Sequence, residues 1–220
     1  LYGGTYSLIR NLLSEFGIES ILVDPENIEE ILSSIDGVKI IFFESLSNPL
    51  LKTVDIEKIA KNKKKDQLLI IDNTFLTPYN LNPLIYGADI VIHSATKYLN
   101  GHNDLTGGLI CGSKELIEKI WPNMLIIGAS MEPIVAFLLE RGMKTLGIRM
   151  EKHNVNGIRI AEFLKSHEQV ETVFYPTLPN YSQIKLRDKY LKVGAGGVIT
   201  FVVKGGDERG LDFMHSLGII

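Results

Sequence analysis

Three apolar runs in this sequence stop at residues able to do chemistry. KIIFFES ends on Glu44 and leads into Ser45-Leu46-Ser47-Asn48-Pro49. QLLIIDN ends on Asp72-Asn73 and is followed by Thr74. ADIVIHSA ends on Ser94 and leads into Ala95-Thr96-Lys97. If the three runs are parallel strands, their carboxyl ends open on one edge, where ligands of such sheets bind. Carboxylates, an amide, hydroxyls and a primary amine would then converge there.

Pyridoxal phosphate (PLP) calls for that set. Its aldehyde needs a lysine amine for a Schiff base, its pyridine nitrogen a facing carboxylate, and its phosphate hydrogen-bond donors. Lys97 supplies the amine and, once displaced by a substrate amine, a mobile acid–base. Asp72 faces the ring nitrogen, Ser94 and Thr96 donate to the phosphate, and Asn48 reaches the phenolic oxygen. Taken singly, each has an ordinary role: Asp72-Asn73 and Asn48-Pro49 as turns, Ser94 and Thr96 as loop hydroxyls, Lys97 as a solvated charge. Their conjunction on consecutive strand ends carries the reading. A P-loop phosphotransferase would need GxxxxGK[ST], which is absent. His93, His102 and Asp104 fit no strong metal-ligand spacing, so no metal site is expected. GAGG at 194–197 lacks the GxGxxG pattern and reads as a tight entry into a strand.

The elements that must position these residues alternate. ESILVD (19–24), the three runs above and GGLICG (107–112) read as strands, most of them apolar on both faces as in a parallel sheet under helices. PENIEEILSSI places Ile28, Ile31, Leu32 and Ile35 on one helical stripe, with Pro25 suited to its first turn. DIEKIAKN places Ile56, Ile59 and Ala60 on another, with Asp55 as N-cap. TYSLIRNLLSEFG reads as a helix closed by Gly17. The alternation predicts an α/β fold with a mostly parallel sheet. A helical pattern then runs from Glu132 to about Ser166, where Gly142, Gly147 and Gly157 make one unbroken helix doubtful. VETVFYP and GGVITFVVKG follow as strands. A break near 145–155 divides a large domain, 1–150, from the start of a smaller one, 151–220.

The 220 residues are 45% apolar and carry a net charge of −3 with scattered basic residues. That balance points away from nucleic acid. No run reaches membrane-spanning length and no signal peptide is visible. Cys111 is the only cysteine, so no internal disulfide forms and a cytoplasmic location is the expectation. Its LICG setting suggests a small buried side chain. The chain starts inside a loop at Leu1 and stops in an apolar segment at Ile220, as a piece of a longer protein would.

Several segments carry a resemblance beyond these patterns: LYGGTY, FFESLSNPLLKTVDI, IDNTFLTPY, NPLIYGADIVIHSATKYLNGHND, RGMKTLGIRMEKHNVNG and GAGGVITFVVKGG. Over essentially its whole length the chain resembles the PLP-dependent enzymes of cysteine and methionine metabolism. These are the cystathionine γ-synthases, γ-lyases and β-lyases, methionine γ-lyases and O-acylhomoserine sulfhydrylases. The resemblance implies the type I, aspartate-aminotransferase-like fold. It implies Lys97 as the Schiff-base lysine, Asp72 as the ring-nitrogen partner, and Ser94 and Thr96 as phosphate contacts. Tyr2 becomes the tyrosine stacking on the ring and assisting proton or leaving-group chemistry, which spacing alone does not reveal. Asn48 contacts cofactor and substrate, with Glu44 and Thr74 near the site.

The resemblance further implies small amino-acid substrates and self-association into a dimer or tetramer with shared sites. It implies transsulfuration at a Cγ–S bond, the YGGT segment and the NP-to-SATK block resembling cystathionine γ-synthases and γ-lyases most. β-Lyase, sulfhydrylase and methionine γ-lyase chemistry are alternatives, the last disfavoured by Gly4, where methionine γ-lyases carry Cys. So is a silent, truncated paralogue acting as a binding module. Family members extend past both ends with further phosphate-, subunit- and carboxylate-binding residues, so residues 1–220 alone are expected to bind PLP weakly and turn over little.

Overall fold

In a computed structural model the described residues are 1–218. A helical run opens the chain: α1 (Gly3–Ser7), a π-turn (Leu8–Leu12) and α2 (Leu13–Glu15), ended by Gly17 at φ +72°. Gly there is free of the Cβ penalty that positive φ imposes. Next come α3 (Ile28–Ser34), β1 (Ile40–Glu44), α4 (Ile56–Asn62), β2 (Leu68–Asp72), α5 (Thr77–Asn80), a 3₁₀ turn (Pro83–Tyr86), β3 (Ile90–Ser94) and β4 (Gly108–Gly112). Then follow α6 (Lys114–Ile126), α7 (Pro133–Met143), α8 (Leu146–Ser166), β5 (Val170–Phe174), α9 (Ile184–Tyr190), β6 (Thr200–Val203) and α10 (Gly206–Ser216).

The main sheet has the order β1-β2-β3-β4, and β5 and β6 form a separate antiparallel pair. β1, β2 and β3 are parallel, whereas β4 runs antiparallel to β3. The sheet is therefore mixed, and three of its four strands open at the same edge. Residues 19–24, expected as a strand, form no strand and pair with none. No strand among the described residues offers them a ladder, and an isolated strand leaves its backbone groups to water. Ile21 and Leu22 are exposed as a result.

The caps follow the local sequence. Asp55 accepts from the Lys58 N–H at 3.2 Å, as its position predicts. Asn27 caps α3 by accepting from the Glu30 N–H at 3.1 Å. Pro25 therefore sits in the turn before the helix rather than in its first turn.

The sheet's two faces differ. Ile41, Phe43, Leu69, Ile71 and Val91 are buried with Ile31 and Ile35 of α3 and Ile56 and Ile59 of α4. Ala161, Val173, Tyr175 and Tyr190 join the same core from the C-terminal part of the chain. On the other face Phe42, Ile70 and Ile92 are half-buried, and Ile40 (58%) and Ile110 (45%) are exposed. The expectation of strands buried on both faces holds on this face only at Ile90, which is buried next to Gly112 where Ile117 of α6 approaches, and fails over the rest of it. Cys111 is likewise exposed, not buried, because β4 is an edge strand. Desolvation by its neighbours still raises the thiol pKa, which works against a reactive thiolate.

The long helical pattern breaks at Lys144–Thr145, and α8 then runs straight through Gly147 and Gly157. Gly157 is tolerated because close approach requires it: a Cβ there would lie 2.3 Å from the Tyr175 hydroxyl and 2.5 Å from the Gly196 carbonyl oxygen. Gly157→Ala is expected to destabilise the protein by about 1–3 kcal/mol, the usual cost of overpacking. A urea midpoint equal to wild type would show that α8 can shift outward at no cost.

Candidate functional site

The parallel register places the predicted residues side by side. Glu44 pairs with Asp72 and Asp72 with Ile92, so Glu44, Asp72 and, two residues beyond Ile92, Ser94 share the half-open face. All three are half-buried, whereas Phe43, Ile71 and His93 point into the core. The strand period thus separates polar residues for a ligand from apolar ones for packing.

Thr74 ties the second and third strand ends together. The Asp72 Oδ1 accepts from the Thr74 N–H at 3.0 Å and its hydroxyl at 2.5 Å. The Ser94 N–H in turn donates to Thr74 Oγ1 at 2.8 Å. This chain fixes the carboxylate's rotamer against the start of the Ser94–Lys97 turn. Asp72 Oδ2 and the Ser94 hydroxyl have no hydrogen-bond partner among the described residues, so both are free for a ligand. Behind them, Asn73 accepts from the Ser45 hydroxyl at 2.8 Å and donates to the Leu81 carbonyl at 2.8 Å, stapling β1 to β2.

After Ser94 the chain enters a short π-turn, Ala95–Leu99, in which Lys97 leaves helical geometry at φ −88°, ψ −124°. The Lys97 side chain is exposed and makes no ion pair or hydrogen bond among the described residues. Thr96 is less free: its Oγ1 accepts from the Gly107 N–H at 3.0 Å, tying the turn to the entry of β4. Arg149 of α8 holds the other side of the turn. Its guanidinium donates to the carbonyls of Tyr98 (2.7 Å), Leu99 (3.3 Å) and Gly142 (2.9 Å). No spacing rule points to Arg149. Its only sequence trace is the RGMKTLGIRM segment.

Glu44 links the two outlying residues. Its Oε1 accepts from the Tyr2 N–H at 2.6 Å and its Oε2 from the Asn48 N–H at 3.0 Å. Both oxygens are occupied by backbone amides, so Glu44 positions Tyr2 and Asn48 rather than presenting a free carboxylate. Tyr2 is exposed (56%), and its ring edge lies 2.8 Å from where a Cβ on Gly4 would stand.

Burial pushes the His93 imidazole below its usual pKa, an effect the neighbouring Asp72 charge partly offsets. Its Nδ1 lacks a partner, and its ring is buried on the core face away from Lys97. His102 instead contacts the Asn100 carbonyl through Nδ1 at 2.7 Å. Among the described residues no three His, Cys, Asp or Glu side chains group closely enough to hold a metal ion.

A free amine, a carboxylate with one open oxygen and a free hydroxyl on neighbouring strand ends are the donor set that PLP takes. The sequence matches the family described as "Cys/Met metabolism PLP-dependent enzyme" over residues 1–220. The chain belongs to this family. It is 41% identical to L-methionine gamma-lyase of Porphyromonas gingivalis, over 99% of this chain and 55% of that protein. It is 44% identical to cystathionine gamma-lyase of Bacillus subtilis, over 99% of this chain and 58% of that one. The solved structure of cystathionine gamma-lyase from Lactobacillus plantarum, complexed with L-serine, superposes with a TM-score of 0.90 at 40% identity, covering 94% of this chain and 55% of that one. The chain thus spans a little over half the length of these relatives. PLP is the family's cofactor, small amino acids are its substrates, and the type I PLP fold expected from the resemblance is the fold these structures share. No helix among the described residues is long and apolar enough to cross a membrane.

Proposed function

We propose that this chain is the cofactor-binding part, with the start of a smaller domain from about residue 151, of a cytoplasmic PLP enzyme of transsulfuration. Its reaction forms or cleaves a Cγ–S bond in cystathionine or a homoserine-derived amino acid. The observation that carries the proposal is the junction of Asp72, Thr74 and Ser94: adjacent parallel strand ends, joined by hydrogen bonds, present a carboxylate and a hydroxyl just before an unpaired lysine. Relatives at 39–44% identity are named for γ-lyase, γ-synthase and β-lyase activities alike, so the choice of bond rests on the YGGT segment and the NP-to-SATK block.

Bound PLP supplies an electron sink for the charge left at the substrate Cα when its proton departs. Lys97 Nζ is the group that would hold the cofactor's aldehyde carbon and, when free, would take the substrate Cα proton and return a proton. The Asp72 carboxylate would pair with the pyridine nitrogen and favour its protonated form, while its Oδ1 contacts with Thr74 keep it from turning away. Ser94 and Thr96 would hold the phosphate, Thr96 by turning its hydroxyl from a long 3.5 Å contact with the Gly107 carbonyl while Oγ1 still accepts from the Gly107 N–H. Asn48 would bind cofactor and substrate oxygens, and Tyr2 would stack on the ring and assist proton or leaving-group chemistry. Glu44 holds both in place through their backbones.

Self-association into a dimer or tetramer is part of the proposal. The exposed apolar side chains of Trp121 and Ile126 on α6, Ile127 just after it, and Ile134 and Phe137 on α7 support it. The deciding experiment assays the full-length holoenzyme with L-cystathionine. Cγ–S cleavage yields cysteine, 2-oxobutanoate and ammonia, whereas Cβ–S cleavage yields homocysteine, pyruvate and ammonia. O-acylhomoserine with cysteine tests the synthetic direction. We expect 2-oxobutanoate or cystathionine. Pyruvate as the main oxo acid would make it a β-lyase, and a protein that takes up no PLP would be a binding module.

A further inference from the structure

The loop that carries Asn48 is held from two sides, only one of which belongs to the site described above. On the sheet side Glu44 binds the Asn48 N–H. On the other side residues more than a hundred positions later grip the same loop through its backbone. The Thr200 hydroxyl donates to the Pro49 carbonyl at 2.6 Å. The Tyr181 hydroxyl donates to the Leu51 carbonyl at 2.8 Å. The Gln183 amide makes a reciprocal pair with Thr53, accepting from its N–H at 2.8 Å and donating to its carbonyl at 2.7 Å. Tyr181 also donates toward Gln183 Oε1 at 3.1 Å, linking two of the three grips.

The loop needs such a frame. Leu51 is fully buried at φ +55°, a left-handed conformation unfavourable for a branched side chain. Such residues persist where their surroundings over-determine them. Thr53 is buried too, its hydroxyl donating to the Ser45 carbonyl at 2.8 Å. Tyr181 is buried, and burial, reinforced by the Glu26 charge, raises its pKa, so its hydroxyl stays neutral and able to donate. None of these three side chains reaches Lys97 or Asp72 by a hydrogen bond.

We infer that Tyr181, Gln183 and Thr200 are positioning residues for substrate recognition. They set where Asn48 stands by fixing the carbonyls of Pro49 and Leu51 and the backbone of Thr53, and thereby couple the C-terminal part of the chain to the substrate side of the site. The inference rests on the role proposed for Asn48. It goes beyond it by naming what decides the position of Asn48, and by locating substrate affinity partly in the PTLPNYSQ segment, which looks remote from the chemistry in sequence.

The test uses the full-length holoenzyme with Tyr181→Phe, Thr200→Val and Asn48→Ala, and Ser182→Ala as control. Ser182 lies in the same segment but bonds only the side chains of Lys52 and Glu26. Five quantities are read: KM and kcat for L-cystathionine; the dissociation constant of L-norleucine, which has the amino-acid head and no γ leaving group; PLP retention; and the thermal midpoint. Tyr181→Phe and Thr200→Val are each expected to raise KM and the norleucine constant about 3- to 10-fold, as loss of one positioning hydrogen bond predicts. kcat and PLP retention should change less than about twofold, and Ser182→Ala should change neither constant. Combining Thr200→Val with Asn48→Ala should add little to Asn48→Ala alone, because both act through one residue. If Asn48→Ala weakens norleucine while Tyr181→Phe and Thr200→Val lower only the thermal midpoint, the three are structural staples and the inference fails alone. If Asn48→Ala binds norleucine as wild type does, the role of Asn48 fails and the inference with it.

Discussion

Lys97→Ala is expected to give a folded, colourless protein that no longer retains PLP after borohydride reduction and gel filtration. The Lys97 side chain is exposed and makes no hydrogen bond or ion pair among the described residues, so its removal should move the unfolding free energy by no more than about 0.5 kcal/mol. The turn around it stays anchored by contacts that do not involve the side chain. The Gly101 N–H bonds the Lys97 carbonyl at 2.8 Å, and Arg149 holds the next two carbonyls. In the proposed function the amine, by contrast, is both covalent anchor and proton carrier. General acid–base catalysis alone is worth about 10²- to 10⁴-fold, so kcat should fall by at least that range. Residual turnover within tenfold of wild type, or undiminished borohydride trapping, would mean that another lysine carries the cofactor.

Asp72→Asn tests the second pole of the site with little disturbance to the fold. An asparagine Oδ1 can still accept from the Thr74 N–H and hydroxyl, so the link from Thr74 to Ser94 should survive. The open carboxylate oxygen becomes an amide NH₂, a donor facing a ring nitrogen that should itself carry a proton. The ring nitrogen then loses its proton and the electron sink weakens. The loss of one preorganised electrostatic partner predicts a fall in kcat of about 10²- to 10³-fold. PLP should remain attached at Lys97, which separates this variant from Lys97→Ala. A kcat within twofold of wild type would remove Asp72 from the chemistry.

Much of this site was legible because strand ends are local events. The step from apolar run to polar cluster at Glu44, Asp72 and Ser94 marks where each strand leaves the core, and β-strand periodicity makes Glu44, Asp72 and Ser94 face one way. Caps are equally local, hence Asp55 could be assigned from its neighbours, although Pro25 misplaced the start of α3. What long-range pairing decides was not legible. Residues 19–24 have the composition of a strand, but a strand exists only where a partner offers hydrogen bonds. The direction of β4 is set by how the chain returns from the Lys97 turn to Ile90–Ser94, which GGLICG does not encode.

By itself, the sequence determined the family and its cofactor and pointed to Lys97 and Asp72 as the two poles proposed here, because residue types at successive strand ends are enough to define a donor set. Only the tertiary structure decided how those residues are held. Thr74 is revealed as the bridge between Asp72 and Ser94, Glu44 as the clamp on Tyr2 and Asn48, Arg149 as the anchor of the Lys97 turn, and Tyr181, Gln183 and Thr200 as the frame of the Asn48 loop. Many of these contacts join residues far apart in the chain through single backbone carbonyls and amides. Every residue carries such groups, so no side-chain pattern announces which of them will meet.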